Sequence, residues 1–281
     1  MNLLDTLDGE IQEEQQLSVK KDLSPVEDAG DYVIVRDISC IGADGNVFEQ
    51  YDELWVPKDV ELDNGAPAGF SAYKGITHFE AKGDDWFLPS SALTLNYLLK
   101  ILPAAVKKRS DGNYAVINGE FKKVLDRYFR IGGVYAGWHV QNTIIAYGTN
   151  EIIHYPLKND FSHSGGELDI NLKKDNTRLR FNRSELYNSF NLKNKHIKHF
   201  VRQYSGLAEP EKLVDLGDYY GWLSKGYGLI SLEFPWNGRL GKNFPGICSS
   251  LVCCGPNYFY PYYNGNLGQI DSAAGVRSFQ P

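Results

Sequence analysis

Residues 89–108 read PSSALTLNYLLKILPAAVKK, the strongest helix signal in the chain. Pro89 together with Ser90 or Ser91 marks a helix start, because Ser caps helix N-termini and Pro is tolerated in the first turn. Apolar residues then recur at the helical period, namely Leu93, Tyr97, Leu98 and Leu99. Pro103 limits or kinks the far end. The stretch therefore predicts a helix with a defined beginning and end.

The chain before this helix predicts a β-hairpin. Residues 31–42, DYVIVRDISCIG, have the β-branched content of a strand, and residues 47–57, VFEQYDELWVP, follow an Asp-Gly turn. Residues 60–85 are rich in Gly, Ala and Asp without a clear period, which predicts a loop layer. Residues 1–30 are polar and acidic, which predicts a loosely ordered tail.

The chain after the helix alternates helical and strand patterns. Residues 119–131 predict a second helix with five apolar residues on one face: Phe121, Val124, Leu125, Tyr128 and Phe129. Residues 133–156 predict two or three antiparallel strands, and residues 166–182 predict a hairpin around Lys-Asp-Asn. Two further helices are expected, one ended by Gly206 and one begun at Pro210.

This order of elements lacks the βαβ alternation of a doubly wound sheet and predicts the α+β class. We expect a single α+β domain over residues 31–281, with a possible sub-boundary near residue 130. From about residue 234 to 281, Gly, Pro, Asn and Tyr dominate, and only short strand-like pieces remain. This C-terminal region is therefore expected to be rich in loops.

Composition and charge exclude several classes of function. The net charge of −6 offers no basic patch for nucleic acid, so no nucleic-acid partner is expected. No apolar run approaches the roughly 20 residues that a membrane helix needs, so no membrane insertion is expected. The acidic N-terminus lacks the pattern of a signal peptide, which predicts synthesis in the cytoplasm, with any virion or surface location reached later.

Histidines and cysteines are the candidates for catalysis or metal binding. His196 and His199 share a helix face, but neither an HExxH motif nor a CxxC pair accompanies them, and a solvated basic face is the expected role. The four cysteines are expected to be free thiols. One enzymatic alternative stays open, a Cys/His-dependent hydrolase or metal-site enzyme that uses Cys248, Cys253 or Cys254 with His139 or His154.

The C-terminal segment CSSLVCCGPNYFYPYYN, residues 248–264, is unusual in composition. Within Asn257–Asn264, five of eight residues are aromatic. A strand buried on both faces would favour Val, Ile and Leu and would avoid Pro261. Tyr, Ser, Gly and Asn together are the composition of adaptive binding loops, although a Tyr-rich irregular edge of the core is the alternative explanation.

This segment resembles the variable proteins of diversity-generating retroelements. In that family, an error-prone reverse transcriptase randomises adenines near the 3′ end of the gene, and every residue from Cys248 to Asn264 is one that randomised Asn codons can reach. The ending AAGVRSF, residues 273–279, is similar to the closing strand of formylglycine-generating-enzyme-like C-type lectin domains. The family's GGSW box is absent, and FPWNGRLG, residues 234–241, is the candidate for its place.

The resemblance covers roughly the last 55 residues and implies both a fold and a function. The implied fold is C-type lectin-like, with antiparallel hairpins, a few flanking helices and a closing strand that completes the core beside the variable surface. The implied function is non-enzymatic binding of a macromolecular ligand, a protein or a cell surface, with no cofactor and no metal. The expected contact residues are Leu251, Cys253, Cys254, Asn257, Tyr258, Phe259, Tyr260, Tyr262, Tyr263 and Asn264.

Two further expectations follow from this interpretation. The four tyrosines of the segment should be at least partly exposed on one face. A viral or surface structural protein, with the acidic tail serving assembly, is a third interpretation of the chain.

Overall fold

The computed structural model describes these parts of the chain: 23–63, 66–67, 72–127, 138–146, 151–155, 162–164, 167–169, 178–180, 193, 195–223, 247–254, 258–264 and 275–279. Within them lie two five-stranded sheets, both antiparallel, and five α-helices. The predicted α+β class is thus confirmed.

The first sheet joins the two ends of the described chain. Its strands are β1 (Val26–Ala29), β2 (Tyr32–Ile41), β3 (Val47–Pro57), β6 (Trp86–Phe87) and β16 (Val276–Phe279), in the order β1-β2-β3-β16-β6. The predicted hairpin is confirmed, because β2 pairs with β3 around the turn that contains Gly45. Strand β16 lies between β3 and β6, where Val276 is fully buried.

The second sheet carries the C-terminal segment. Its strands are β9 (Trp138–Ala146), β10 (Glu151–His154), β13 (Arg178–Arg180), β14 (Ile247–Cys254) and β15 (Tyr258–Asn264), in the order β13-β10-β9-β14-β15. Three two-stranded ladders accompany the sheets: β4 (Leu62–Asp63) with β5 (Ala66–Pro67), β7 (Val106–Lys108) with β8 (Tyr114–Val116), and β11 (Ser162–Ser164) with β12 (Glu167–Asp169).

Five α-helices accompany these sheets in the described part of the chain. They are α1 (Ala72–Glu80), α2 (Ser91–Ala105), α3 (Gly119–Asp126), α4 (Lys195–Ser205) and α5 (Leu213–Leu223), with a 3₁₀ turn at Pro210–Lys212 before α5. The positive φ of 61° at Gly206 ends α4, as predicted, because glycine adopts this conformation without a steric penalty.

Helix α2 forms the centre of the core and begins where the sequence predicts. Ser90 is its N-cap, and the Ser90 hydroxyl accepts a 3.0 Å hydrogen bond from the Leu93 amide. Pro103 lies in its last turn, so the helix ends two residues later. The helix contacts α3, α4, α5 and strands of both sheets, and its largest buried side chains include Leu93, Leu95, Tyr97 and Leu98.

Three predictions made from the sequence differ from the structure. Residues 60–85 contain α1, so the predicted loop layer is wrong in that part. The predicted hairpin within 166–182 is also wrong, because β12 pairs with β11 and β13 pairs with β10. The predicted tail boundary at residue 30 falls inside the β1–β2 hairpin, which starts at Val26, while residues 1–22 lie outside the described residues.

Candidate functional site

The residues singled out for ligand contact lie on one β-hairpin. Leu251, Cys253 and Cys254 belong to β14, and the aromatic residues and Asn264 belong to β15; Asn257 lies outside the described residues. The two strands pair antiparallel, with Cys254 opposite Tyr258 and Cys248 opposite Asn264. Residues chosen by composition alone are therefore brought together by a continuous ladder.

The register divides the tyrosines between the two faces of the hairpin. Alternate positions of a strand belong to the same face. Tyr258, Tyr260 and Tyr262 hold positions of one face, whereas Tyr263 holds a position of the other, so the expectation of four tyrosines on one face is wrong for Tyr263. The exposure of these side chains lies outside what the structure describes.

Strand β15 forms an edge of the second sheet as far as the described strands extend. Pro261 lies in its middle, opposite Leu251. Proline has no amide hydrogen to donate and is found in sheets at edge strands. The residue that argued against a buried strand is thus compatible with the place that the strand occupies.

The hairpin is anchored to α2 through an irregularity in β9. The register places Cys248 opposite Ile144 and Ser250 opposite Val140, so a bulge sets three residues of β9, namely Gln141, Asn142 and Thr143, against the single residue Ser249 of β14. Each of the three bonds to α2 or the residues before it. Thr94 Oγ1 donates to Gln141 Oε1 at 2.5 Å, the Asn142 amide donates to the Pro89 carbonyl at 2.9 Å, and the Ser91 amide donates to Thr143 Oγ1 at 2.9 Å.

His154, one of the two candidate general bases, is committed to buried hydrogen bonds. Its Nε2 lies 2.9 Å from the Gln203 carbonyl, which only accepts, so Nε2 carries the proton. Its Nδ1 therefore accepts from the Thr143 hydroxyl at 3.0 Å. Burial lowers the pKa of His154 to about 4, because the charged ring is desolvated. Neither nitrogen is available to activate a thiol without breaking this network.

For the other residues of the enzymatic alternative, His139 and the three C-terminal cysteines, the structure describes the strand positions but not the side chains. His139 lies opposite Leu251 in the β9–β14 ladder, but the side chains of His139 and of the three C-terminal cysteines lie outside what the structure describes. Cys40 is a free thiol. Its pKa lies well above the usual value, mainly because the thiol is buried and secondly because the Glu49 carboxylate lies nearby. A buried thiol of raised pKa is a poor nucleophile.

Glu49, Ser90 and Tyr155 form a polar cluster that the sequence did not predict. The Glu49 carboxylate of β3 accepts hydrogen bonds from the Tyr155 hydroxyl at 2.5 Å and from Ser90 Oγ at 3.3 Å. Tyr155 directly follows β10 and has a φ of +56°, an uncommon conformation for a bulky residue. The Tyr155 hydroxyl also accepts from the Ser90 amide at 3.1 Å. The cluster joins β3, the start of α2 and the end of β10.

Burial dominates the electrostatics of this cluster. Desolvation raises the pKa of Glu49 to about 7, although hydrogen bonds from Tyr155, Tyr51, Ser90 and Cys40 act in the opposite direction. Burial and the Glu49 charge raise the pKa of Tyr155 well above its ordinary value, so the phenol stays protonated and donates. No local sequence spacing links residues 49, 90 and 155, and a lone Glu in a strand gave no signal.

The described residues hold neither a metal-binding cluster nor a membrane-spanning helix. They contain no group of three or more His, Cys, Asp or Glu residues placed to hold a metal ion. His199 is exposed on α4, and the His196 side chain lies outside what the structure describes. None of the helices described is both long and apolar enough to cross a bilayer. Comparisons with protein-family models, with curated proteins and with solved structures gave no match.

Proposed function

We propose that the protein is a non-enzymatic binding protein that displays a diversified surface, the hairpin β14–β15, on a C-type lectin-like scaffold. One observation carries the proposal: apart from Asn257, all the residues singled out by composition fall on this one hairpin, at the edge of the second sheet. The resemblance to variable proteins of diversity-generating retroelements gives the diversification its mechanism.

The way the hairpin is held supports this function. Strand β14 pairs with β9, whose bulge is hydrogen-bonded to the start of α2, and β15 in turn pairs with β14. A surface that must change in sequence benefits from being held by backbone pairing, because the ladder does not depend on side-chain identity. Binding energy would come from a few aromatic anchors such as Tyr258, Tyr260 and Tyr262.

The closing strand also supports the proposal. In the resembled domains the final strand completes the core, and here β16 pairs with both β3 and β6 while Val276 is fully buried. The chain would thus return from the variable hairpin to a strand of the core. The ligand proposed is a macromolecule, a protein or a cell surface, because a hairpin of aromatic residues at a sheet edge offers an extended contact surface.

The test is a comparison of two libraries in the full-length chain. In the first, eight hairpin positions are randomised among Asn, Tyr, Ser, Gly, Phe and Cys: Leu251, Cys253, Cys254, Tyr258, Phe259, Tyr260, Tyr262 and Tyr263. In the control library, only four positions, all buried in α2 (Leu93, Leu95, Leu98 and Ile101), receive the same mixture. We expect most hairpin clones to remain soluble with Tm values within about 5 °C of wild type, and most core clones to unfold, because core truncations each cost about 2–5 kcal/mol.

Equal loss of folded clones in both libraries would contradict the proposed display role. The diversification part has a separate test in the gene's neighbourhood. We expect a near-copy of the 3′ end, with Asn codons where the gene differs, beside a reverse transcriptase gene. Sequence differences outside the adenine positions of such a copy, or the lack of any copy, would remove that part of the proposal.

A further inference from the structure

A cleft of about 340 Å³ opens at one end of the first sheet. It lies between the turn before β2, the segment after β3, helices α1 and α3, strand β6 and the residue just before β16. Its size falls in the lower part of the range for small-molecule sites. Among the residues that the structure describes, the lining comes from other elements than β14 and β15, so we treat the cleft as a site distinct from the hairpin surface proposed above.

One wall of the cleft is aromatic. The rings of Tyr32 and Trp86 lie 6.0 Å apart at 59°, and both side chains are half-exposed. Trp55 packs against Tyr32 at 5.7 Å and helps to fix the orientation of that ring. The Lys82 ammonium lies 5.3 Å from the Trp86 ring centre, a cation–π distance. The wall is therefore an aromatic surface that is open at Tyr32 and has the Lys82 ammonium over the Trp86 ring.

The remaining lining of the cleft includes paired charges. The Lys58 ammonium is buried and donates to Asp28 and to Glu120, at 2.8 Å each, and Lys123 lies 2.8 Å from the same Glu120 carboxylate. Lys123 and Lys58 together lower the pKa of Glu120 to about 2. Lys82 Nζ lies 2.6 Å from Glu61 Oε2, beside the aromatic wall. The Glu120 carboxylate thus stays charged across the physiological pH range.

This pairing selects against charged ligands. Among the described lining residues, an anion would meet four carboxylates (Asp31, Asp59, Glu61 and Glu120) against three ammonium groups. A cation would have to compete with ammonium groups already bound to Glu61 and Glu120. A neutral ligand with several hydroxyls keeps both ion pairs, because an ammonium has three donors and a carboxylate about four acceptor sites.

We propose that this cleft binds a neutral polyhydroxylated ring, a pyranose sugar. The apolar face of the ring packs on Trp86 and Tyr32, and its hydroxyls bond to the Lys82–Glu61 and Lys58–Glu120 pairs. An open cleft and a ligand of about a dozen heavy atoms give a Kd on the order of 1 mM for a single sugar.

The test is a titration of the full chain, followed by the indole N–H resonances in NMR. The probes are D-glucose, D-galactose, D-mannose and N-acetyl-D-glucosamine, with inorganic phosphate and tetramethylammonium as charged counterparts. We expect at least one sugar to shift the Trp86 resonance saturably, and neither charged probe to do so. Trp86→Ala and Lys82→Ala should each weaken binding at least about tenfold, whereas Trp222→Ala, a half-buried Trp outside the cleft, should leave the affinity unchanged.

Several outcomes overturn the proposal. They are the failure of all four sugars at concentrations of tens of millimolar, a Trp86 shift caused by a charged probe alone, and sugar affinity unchanged in Lys82→Ala. Lys82 is partly exposed, so its variant tests the site even if Trp86→Ala does not fold. Binding that persists when Tyr260 and Tyr262 are replaced by Ser separates this site from the hairpin surface, whatever the fate of the function proposed for that hairpin.

Discussion

The Tyr155 hydroxyl donates a 2.5 Å hydrogen bond to the carboxylate of Glu49, although 106 residues separate the two in the chain. This bond connects the first sheet to the second beside the start of α2. The residue before Tyr155, His154, is fully buried in the same region and is held neutral. Two adjacent positions thus contribute to networks in which a raised carboxyl pKa and a lowered imidazole pKa occur side by side.

These two groups predict opposing pH dependences of stability. The pKa of Glu49 rises from 4.5 to about 7 on folding. Its contribution to the free energy of unfolding is therefore fully present below pH 4.5 and is lost as pH rises to 7. The pKa of His154 falls from 6.5 to about 4, so its contribution is present above pH 6.5 and is lost as pH falls to 4. Each is on the order of 3 kcal/mol, and between pH 4.5 and 6.5 they cancel.

Glu49→Gln isolates the two contributions. The variant should lose stability as pH falls from 6.5 to 4, because only the His154 dependence remains, and the wild-type decline from pH 6.5 to 7 should disappear. His154→Gln should show the reverse, a free energy of unfolding that falls from pH 4.5 to 7. Urea unfolding at half-unit pH intervals measures both profiles, with the exposed Glu209→Gln as control. Parallel profiles for Glu49→Gln and wild type would contradict the assignment.

Local signals in the sequence predicted the elements that depend on neighbouring residues. Ser90 at the helix cap, Gly206 after α4 and the Asp44–Gly45 turn each determine a backbone conformation within a few positions, and all three appear where expected. The β14–β15 hairpin was not predicted in this way: composition singled out residues 248–264 for binding, but the region was expected to be rich in loops, and the structure has two paired strands there.

Local sequence signals could not predict which strands pair across long distances in the chain. Strand β13 pairs with β10 and not with its predicted neighbour, and β16 inserts beside β3, more than 200 residues away in the chain. Such choices depend on which strand edges the rest of the fold leaves open. The Glu49–Tyr155 contact and the face assigned to Tyr263 depend in turn on those registers, so they became visible only in the structure.

Gly206 should be intolerant of any side chain, for two separable reasons. Its φ is +61°, and an added Cβ would lie 2.9 Å from the Cβ atoms of both Ala92 and Cys40. Gly112 has a φ of +83° with nothing within 4 Å, so Gly112→Ala carries only the backbone penalty. We expect Gly112→Ala to cost about 1 kcal/mol and Gly206→Ala about 3 kcal/mol in urea unfolding. Equal losses would show that α2 and β2 move apart without penalty at this contact.

Lys58 should matter more to stability than Lys123, although both bind Glu120. The Lys58 side chain is only 8% exposed and joins Asp28, near the β1–β2 turn, to α3, whereas the Lys123 side chain is 57% exposed. Both carboxylate partners of Lys58 are partly solvated, which reduces the effect. We expect Lys58→Met to lower the free energy of unfolding by on the order of 1 kcal/mol and Lys123→Met by less than about 0.5 kcal/mol. A larger loss for Lys123→Met would contradict the bridging role of Lys58.

Pro261 should protect the edge of the second sheet from self-association. An edge strand presents unpaired amide and carbonyl groups that another chain can pair with, and a proline in its middle interrupts the row of donors. Pro261→Val restores the amide and adds a β-branched residue, so we expect a rise in average mass by sedimentation at roughly 100 µM protein. Tyr263→Val changes the same strand without adding a donor and should keep the wild-type mass. If Pro261→Val also keeps that mass, the edge is protected by other means. If Pro261→Val associates, Pro261 blocks backbone pairing at this edge in the native protein. A ligand of the native hairpin would then contact its side chains and not its backbone, as the proposed display of varying residues requires.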